Sequence, residues 1–108
     1  MSVLKEELKD FAHMVHSTAR AKGFYKSPTN LATKIALAHS ELSEALEWDR
    51  TPRETPESQR ENVAMELADC IIRIFDMAEA HKLPVIDCLL HKAEFNKTRP
   101  MLHGGKLY

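Results

Sequence analysis

Two short acidic pairs are the residues most able to do chemistry in this sequence. Glu41-Leu-Ser-Glu44 and Glu66-Leu-Ala-Asp69 each set two carboxylates one helical turn apart. At 100° per residue, Glu66, Asp69, Arg73 and Asp76 fall within an arc of roughly 80° on one helix. Lys34, Glu41, Glu44 and Trp48 fall within a similar arc on the helix before it. Side by side, the two stripes bring four carboxylates together. Each like-charged pair about 4 Å apart costs on the order of 4 kcal/mol at an effective dielectric of about 20. Arg73 and Lys34 offset only part of that, so a divalent cation is expected among Glu41, Glu44, Glu66 and Asp69. Oxygen ligands with no cysteine or histidine in register suit magnesium, or else manganese, rather than zinc. Glu41 or Glu44 is then placed to take a proton. A single E-x-x-E usually marks a solvated helix face; two pairs on consecutive helices, one of them otherwise apolar, ask for more.

The elements that must position these acids are punctuated by three glycines and five prolines. Val3, Leu4, Leu8, Phe11, Met14, Val15 and Ala19 carry the spacing of an amphipathic helix over about residues 2 to 22, with Gly23 as its stop. Ser27-Pro28 predicts the cap and first residue of a second helix running to about Asp49. Leu31, Ile35, Ala38, Leu42, Ala45 and Leu46 line one face of it. Residues 50 to 56 form a connection, where Thr51-x-x-Glu54 could cap an extra turn. Thr55-Pro56 opens a third helix to about Lys82; Leu83-Pro84 resets the chain, and a fourth covers about 84 to 98. An irregular tail follows to residue 108. The expectation is one all-α domain over residues 1–108 with four main helices, no repeat and no strand.

The third helix is apolar almost all round, from Val63, Ala64 and Met65 to Ile74, Phe75, Met77 and Ala78. Such a helix is buried on every side. Three companions from so short a chain hardly cover it, so an obligate homo-oligomer is expected.

Net charge is −1, from 15 basic and 16 acidic side chains, and no basic run offers a nucleic-acid or membrane partner. No run of about 18 apolar residues spans a membrane, and the opening residues turn charged at once, so a cytoplasmic protein is expected. Cys70 and Cys88, both in apolar stretches, read as buried free thiols. None of the six histidines follows a glutamate by three, which argues against a carboxylate di-metal redox bundle; most of them read as solvated or interfacial. A non-catalytic interaction module is the other alternative, but it gives Glu66 and Asp69 no reason to sit in a buried helix.

Taken in order, Glu41-Leu-Ser-Glu44 and Glu66-Leu-Ala-Asp69 resemble the E-x-x-E…E-x-x-D signature of the MazG-like, all-α nucleotide pyrophosphohydrolases. Pro28-x-Asn30-Leu31, Lys92-x-x-x-Asn96-x-x-Arg99 and His103-Gly-Gly-Lys106-x-Tyr108 look like the short single-domain members, so the likeness covers residues from about 25 to 108. It implies magnesium-dependent hydrolysis of a (deoxy)nucleoside triphosphate to the monophosphate and pyrophosphate, by attack of a metal-activated water at the α-phosphate. It also implies an oligomer with two helices per subunit in a bundle core; a tetramer made of two dimers is expected, with a simple dimer as the alternative. Carried over by position, Glu41, Glu44, Glu66 and Asp69 are the metal ligands, and Lys92, Asn96, Arg99 and Lys106 face the phosphates. Trp48 stacks on the nucleoside or packs between subunits; Asn30, with Tyr25 and Lys26, either lies beside the base or serves as loop and cap. Where some relatives carry an aromatic residue four positions after the second motif, this chain has Arg73, so no relative's base preference transfers.

Overall fold

Four helices follow one another in the computed structural model, which describes residues 2–51 and 55–100: α1 (Ser2–Ala21), α2 (Leu31–Arg50), α3 (Pro56–Ala80) and α4 (Val85–Lys97). No strand occurs among the described residues, and none of the helices is long and apolar enough to cross a membrane. Glu54 and the tail segment 101–108 lie outside the described residues.

Gly23 ends α1 as the sequence indicates. Its φ of 89° lets the Gly23 N–H reach the Arg20 carbonyl and the Phe24 N–H reach that of Ala19, each at 3.1 Å. The start of α2 corrects the Ser27-Pro28 expectation. Asn30 is the cap: its backbone is extended, and its side-chain oxygen accepts the Thr33 N–H at 2.8 Å. Serine and asparagine cap about equally well by type, so only the fold decides between them. Thr55 caps α3 by accepting the Ser58 N–H, with Pro56 in the first turn, as the Thr55-Pro56 pair indicates. The far end of α3 comes two residues earlier than Lys82, because Lys82 itself takes the left-handed conformation (φ 55°). That turn lets the Leu83 N–H close on the Ala78 carbonyl at 2.9 Å.

α2 and α3 form an antiparallel hairpin, α1 packs along α3, and α4 packs on α1. Residue pairs such as Trp48 with Gln59, Glu41 with Arg73 and Ala38 with Cys70 fix the hairpin register. Ala12, Val15, Phe75 and Ile86 make one small core between α1, α3 and α4, and Phe11 meets Phe75 edge-on at 5.9 Å. Ala38, Cys70 and Met77, with Leu31 against them, make a second between α2 and α3.

The single chain covers the apolar faces of α2 and α3 only in part. The residues of α2 that the chain buries are Ala38, Glu41 and Ala45, whereas Ile35, Leu42 and Leu46 point outward. On α3 the buried residues are Cys70 and the run from Phe75 to Ala78, while Met65, Leu67, Ile71 and Ile74 are exposed in the single chain. The seam therefore follows the alanines and the acid, because small side chains let two helices approach closely. Cys70 is a buried free thiol; Cys88, on the outer side of α4, is exposed rather than buried.

Candidate metal centre and adjoining cleft

Hairpin register sets Glu41 and Glu44 of α2 opposite Glu66, Asp69 and Arg73 of α3. One carboxylate oxygen from each of Glu41, Glu66 and Asp69 lies within 4.8 Å of the others. Glu44 stays outside that compact trio, on an exposed position, yet its carboxyl touches that of Glu66. Of the four acids expected to converge, three form the core and the fourth borders it.

Their electrostatic situations differ sharply. Glu41 is 7% exposed, and Arg73 Nε donates to its Oε1 at 2.8 Å. That guanidinium holds the Glu41 carboxyl below its ordinary range, against the opposing push of burial. Glu66 has no such partner: its Oε2 is shut away from solvent with no hydrogen bond. Contact with the Glu44 carboxyl, then with that of Glu41, then burial, push the Glu66 carboxyl up to about 7. A buried oxygen of this kind must be satisfied by a proton or a cation. The donor set is all hard oxygen, so the residues present fit a magnesium-sized divalent ion. Arg73→Ala should lower the metal-free stability by about 1–2 kcal/mol, discounted because the Arg73 side chain is 41% exposed. Urea unfolding in EDTA reads this, and an unchanged midpoint denies that the pair holds Glu41 in place.

A cleft of about 580 Å³ opens beside the trio. It runs from Glu41 and Asp69 past Arg73 and Lys34 to Asp76, with Val15, Ala19, Phe24 and Ile72 as apolar wall. By spacing Asp76 belongs to the acidic stripe of α3, but its partners come from α1 and the turn after it. His16 Nδ1 lies 2.7 Å from Oδ1, and the Tyr25 hydroxyl donates to Oδ2 at 2.7 Å. Burial first, and then the carboxylate, hold the Tyr25 hydroxyl well above its ordinary range, so it stays a donor. Lys34 Nζ sits 4.3 Å from the Tyr25 ring centre, and the His16 and Tyr25 rings meet edge-on at 4.9 Å. His16 is thus tied to an acid rather than solvated. Sequence spacing carries no signal for a pairing across 60 positions.

The remaining expected residues are dispersed. Trp48 is half-buried at the end of α2, where its carbonyl accepts from Gln59 Nε2 at 2.8 Å, and it does not line the cleft. Asn30 serves as the α2 cap. Lys92 and Asn96 are exposed on α4, with Lys92 Nζ 5.5 Å from the Phe95 ring centre, and Arg99 follows the helix end. Since α4 packs on α1, none of these three reaches the cleft wall within the chain. Lys106 lies outside the described residues. Compared with protein-family models, with curated proteins and with solved structures, the chain matches none of them.

Proposed function

We propose that the chain is a magnesium-dependent nucleoside triphosphate pyrophosphohydrolase of the MazG-like kind, releasing pyrophosphate and a monophosphate. The observation that carries the reading is the carboxylate trio Glu41, Glu66 and Asp69, each offering one oxygen within 4.8 Å of the others, with Glu66 Oε2 buried and without a hydrogen bond. The ordered resemblance of its motifs supports the same reaction. Glu41, Glu66 and Asp69 would hold the ion, with Glu44 beside them. Magnesium, when bound, neutralises the triphosphate and acidifies a water.

The chain's own groups divide the remaining work. Arg73 keeps Glu41 ionised and occupied, which leaves Glu44, on the exposed rim, the better placed base to take the proton of the attacking water. Glu66 sheds its proton as the site is loaded. Lys34 and Arg73, both on the cleft wall, supply positive charge toward the triphosphate. Lys92 and Asn96 on α4, and Arg99 just beyond it, do not line the cleft, so their contribution to the phosphates requires a second subunit. The outward apolar residues of α2 and α3 support the same conclusion, that the working form is a homo-oligomer.

The test is pyrophosphate release from the eight common ribo- and deoxyribonucleoside triphosphates, with magnesium and with EDTA. Magnesium-dependent release together with a monophosphate is expected from at least one of them. Release that persists in EDTA refutes the metal assignment. No release from any, alongside magnesium-induced thermal stabilisation, points to a metal-binding bundle with a different role.

A further inference from the structure

We infer that the far end of the cleft is a base-reading subsite, where Asp76 accepts from the amino group of cytosine, adenine or guanine and Phe24 stacks on the ring. The inference rests on the hydrolase reading for the rest of the nucleotide. Asp69 and Asp76 are seven residues apart on α3, about 10 Å along the helix axis. That is the reach of a nucleoside from its α-phosphate to the edge of its base. Arg73 and Lys34 lie between the two ends, beside the apolar wall of Val15 and Ile72 that suits a sugar and a ring.

Asp76 has the chemistry of a reader. An ionised carboxylate offers about four acceptor positions and no donor. His16 and Tyr25 take two of them at 2.7 Å each, which fixes the group while leaving acceptor capacity toward the cleft it lines. An amino-bearing base supplies the missing donor at the corner of its edge; uracil and thymine offer only the N3–H, flanked on both sides by carbonyl oxygens that the carboxylate repels. Phe24 supplies the face. It is 65% exposed although it lines an apolar wall, and the left-handed turn at Gly23 pins its backbone to Ala19. An exposed aromatic ring anchored at a cleft mouth is placed to stack on a base.

The experiment is equilibrium binding of CMP, AMP, GMP and UMP to the full chain in EDTA, by calorimetry, for wild type, Asp76→Asn and Phe24→Ala. Wild type should bind at least one amino-bearing monophosphate roughly tenfold or more tighter than UMP. Asp76→Asn should bring that ratio near unity, and Phe24→Ala should weaken all four by about tenfold. Equal binding of UMP, or an unchanged ratio in Asp76→Asn, overturns the subsite and leaves His16, Tyr25 and Asp76 as a structural tie. Phe24→Ala, on an exposed position, keeps the test decisive if Asp76→Asn unfolds: no loss of binding sinks the stacking role. Base preference without pyrophosphate release from any triphosphate would uphold the subsite and defeat the hydrolase. Release with equal kcat/KM on nucleotides of all four bases, unchanged by Asp76→Asn, would do the reverse.

Discussion

Glu66→Gln should abolish pyrophosphate release, by on the order of 10³-fold, and at the same time raise the melting temperature of the metal-free chain. On the proposed reading, the loss follows from removing a ligand whose ion would contribute several kcal/mol to charge stabilisation, at about 1.4 kcal/mol per factor of ten. The gain follows from the crowding that lifts the Glu66 carboxyl from 4.5 to about 7. The folded chain holds a proton there that the unfolded chain gives up. This group's contribution to metal-free stability is therefore fully present below about 4.5 and is lost as the pH rises through about 7. Glu41, held low by Arg73, works in the opposite sense, and its contribution fades only as the pH falls through its lowered value. A neutral amide at position 66 removes the first of these slopes and keeps the second. Because the ion competes with the Glu66 proton, magnesium should stabilise wild type more at about pH 8 than at about pH 6. Thermal melts of both proteins across this range, with magnesium and with EDTA, read all of it. A variant that melts lower without metal, or keeps activity within tenfold, defeats the account.

In the proposed homo-oligomer, a charge on the outward apolar face should take the assembly apart. Helical spacing puts Ile35, Leu42 and Leu46 on one stripe of α2 and Leu67, Ile71 and Ile74 on one stripe of α3. Both stripes lie on the side of the hairpin away from the acids, and Leu42, Leu46 and Ile71 are 49, 53 and 51% exposed in the single chain. Monomeric proteins in water rarely leave a large contiguous apolar surface exposed. On the proposed reading, a second hairpin laid on it would complete a four-helix bundle of the kind formed by helices about 20° from antiparallel. Ile71→Glu buries a carboxylate at the centre of that contact and should convert the oligomer to monomer in sedimentation velocity at micromolar concentration. Leu89→Glu, exposed on α4 and off this face, should leave the assembly intact. A wild-type chain that already sediments as a monomer removes the argument.

How far the sequence could be read varies with the range of the forces involved. Helix existence and most ends depend on neighbours within four residues, and Gly23, Thr55 and Pro56 declare them locally. The α2 start slipped because two good caps stand three residues apart. Convergence of Glu41, Glu66 and Asp69 was legible because a hairpin of two consecutive helices leaves few registers. The buried seam was not, since hydrophobicity alone cannot separate an apolar face turned to a partner helix from one turned outward; alanine size decided it. Least legible was the attachment of His16 and Tyr25 to Asp76, which depends on how α1 lies across α3.

Ala38 and Ala45 flank Glu41 by about one turn on either side, and Cys70 Sγ approaches the Ala38 carbonyl to 3.6 Å. Methyl groups, rather than the acids themselves, set how near the two backbones come. The pair acts as a calliper, fixing the gap that the carboxylates span before any of them binds anything. A bulkier residue at either position would widen that gap, and the ionic radius best accommodated would grow with it, although no ligand had been touched.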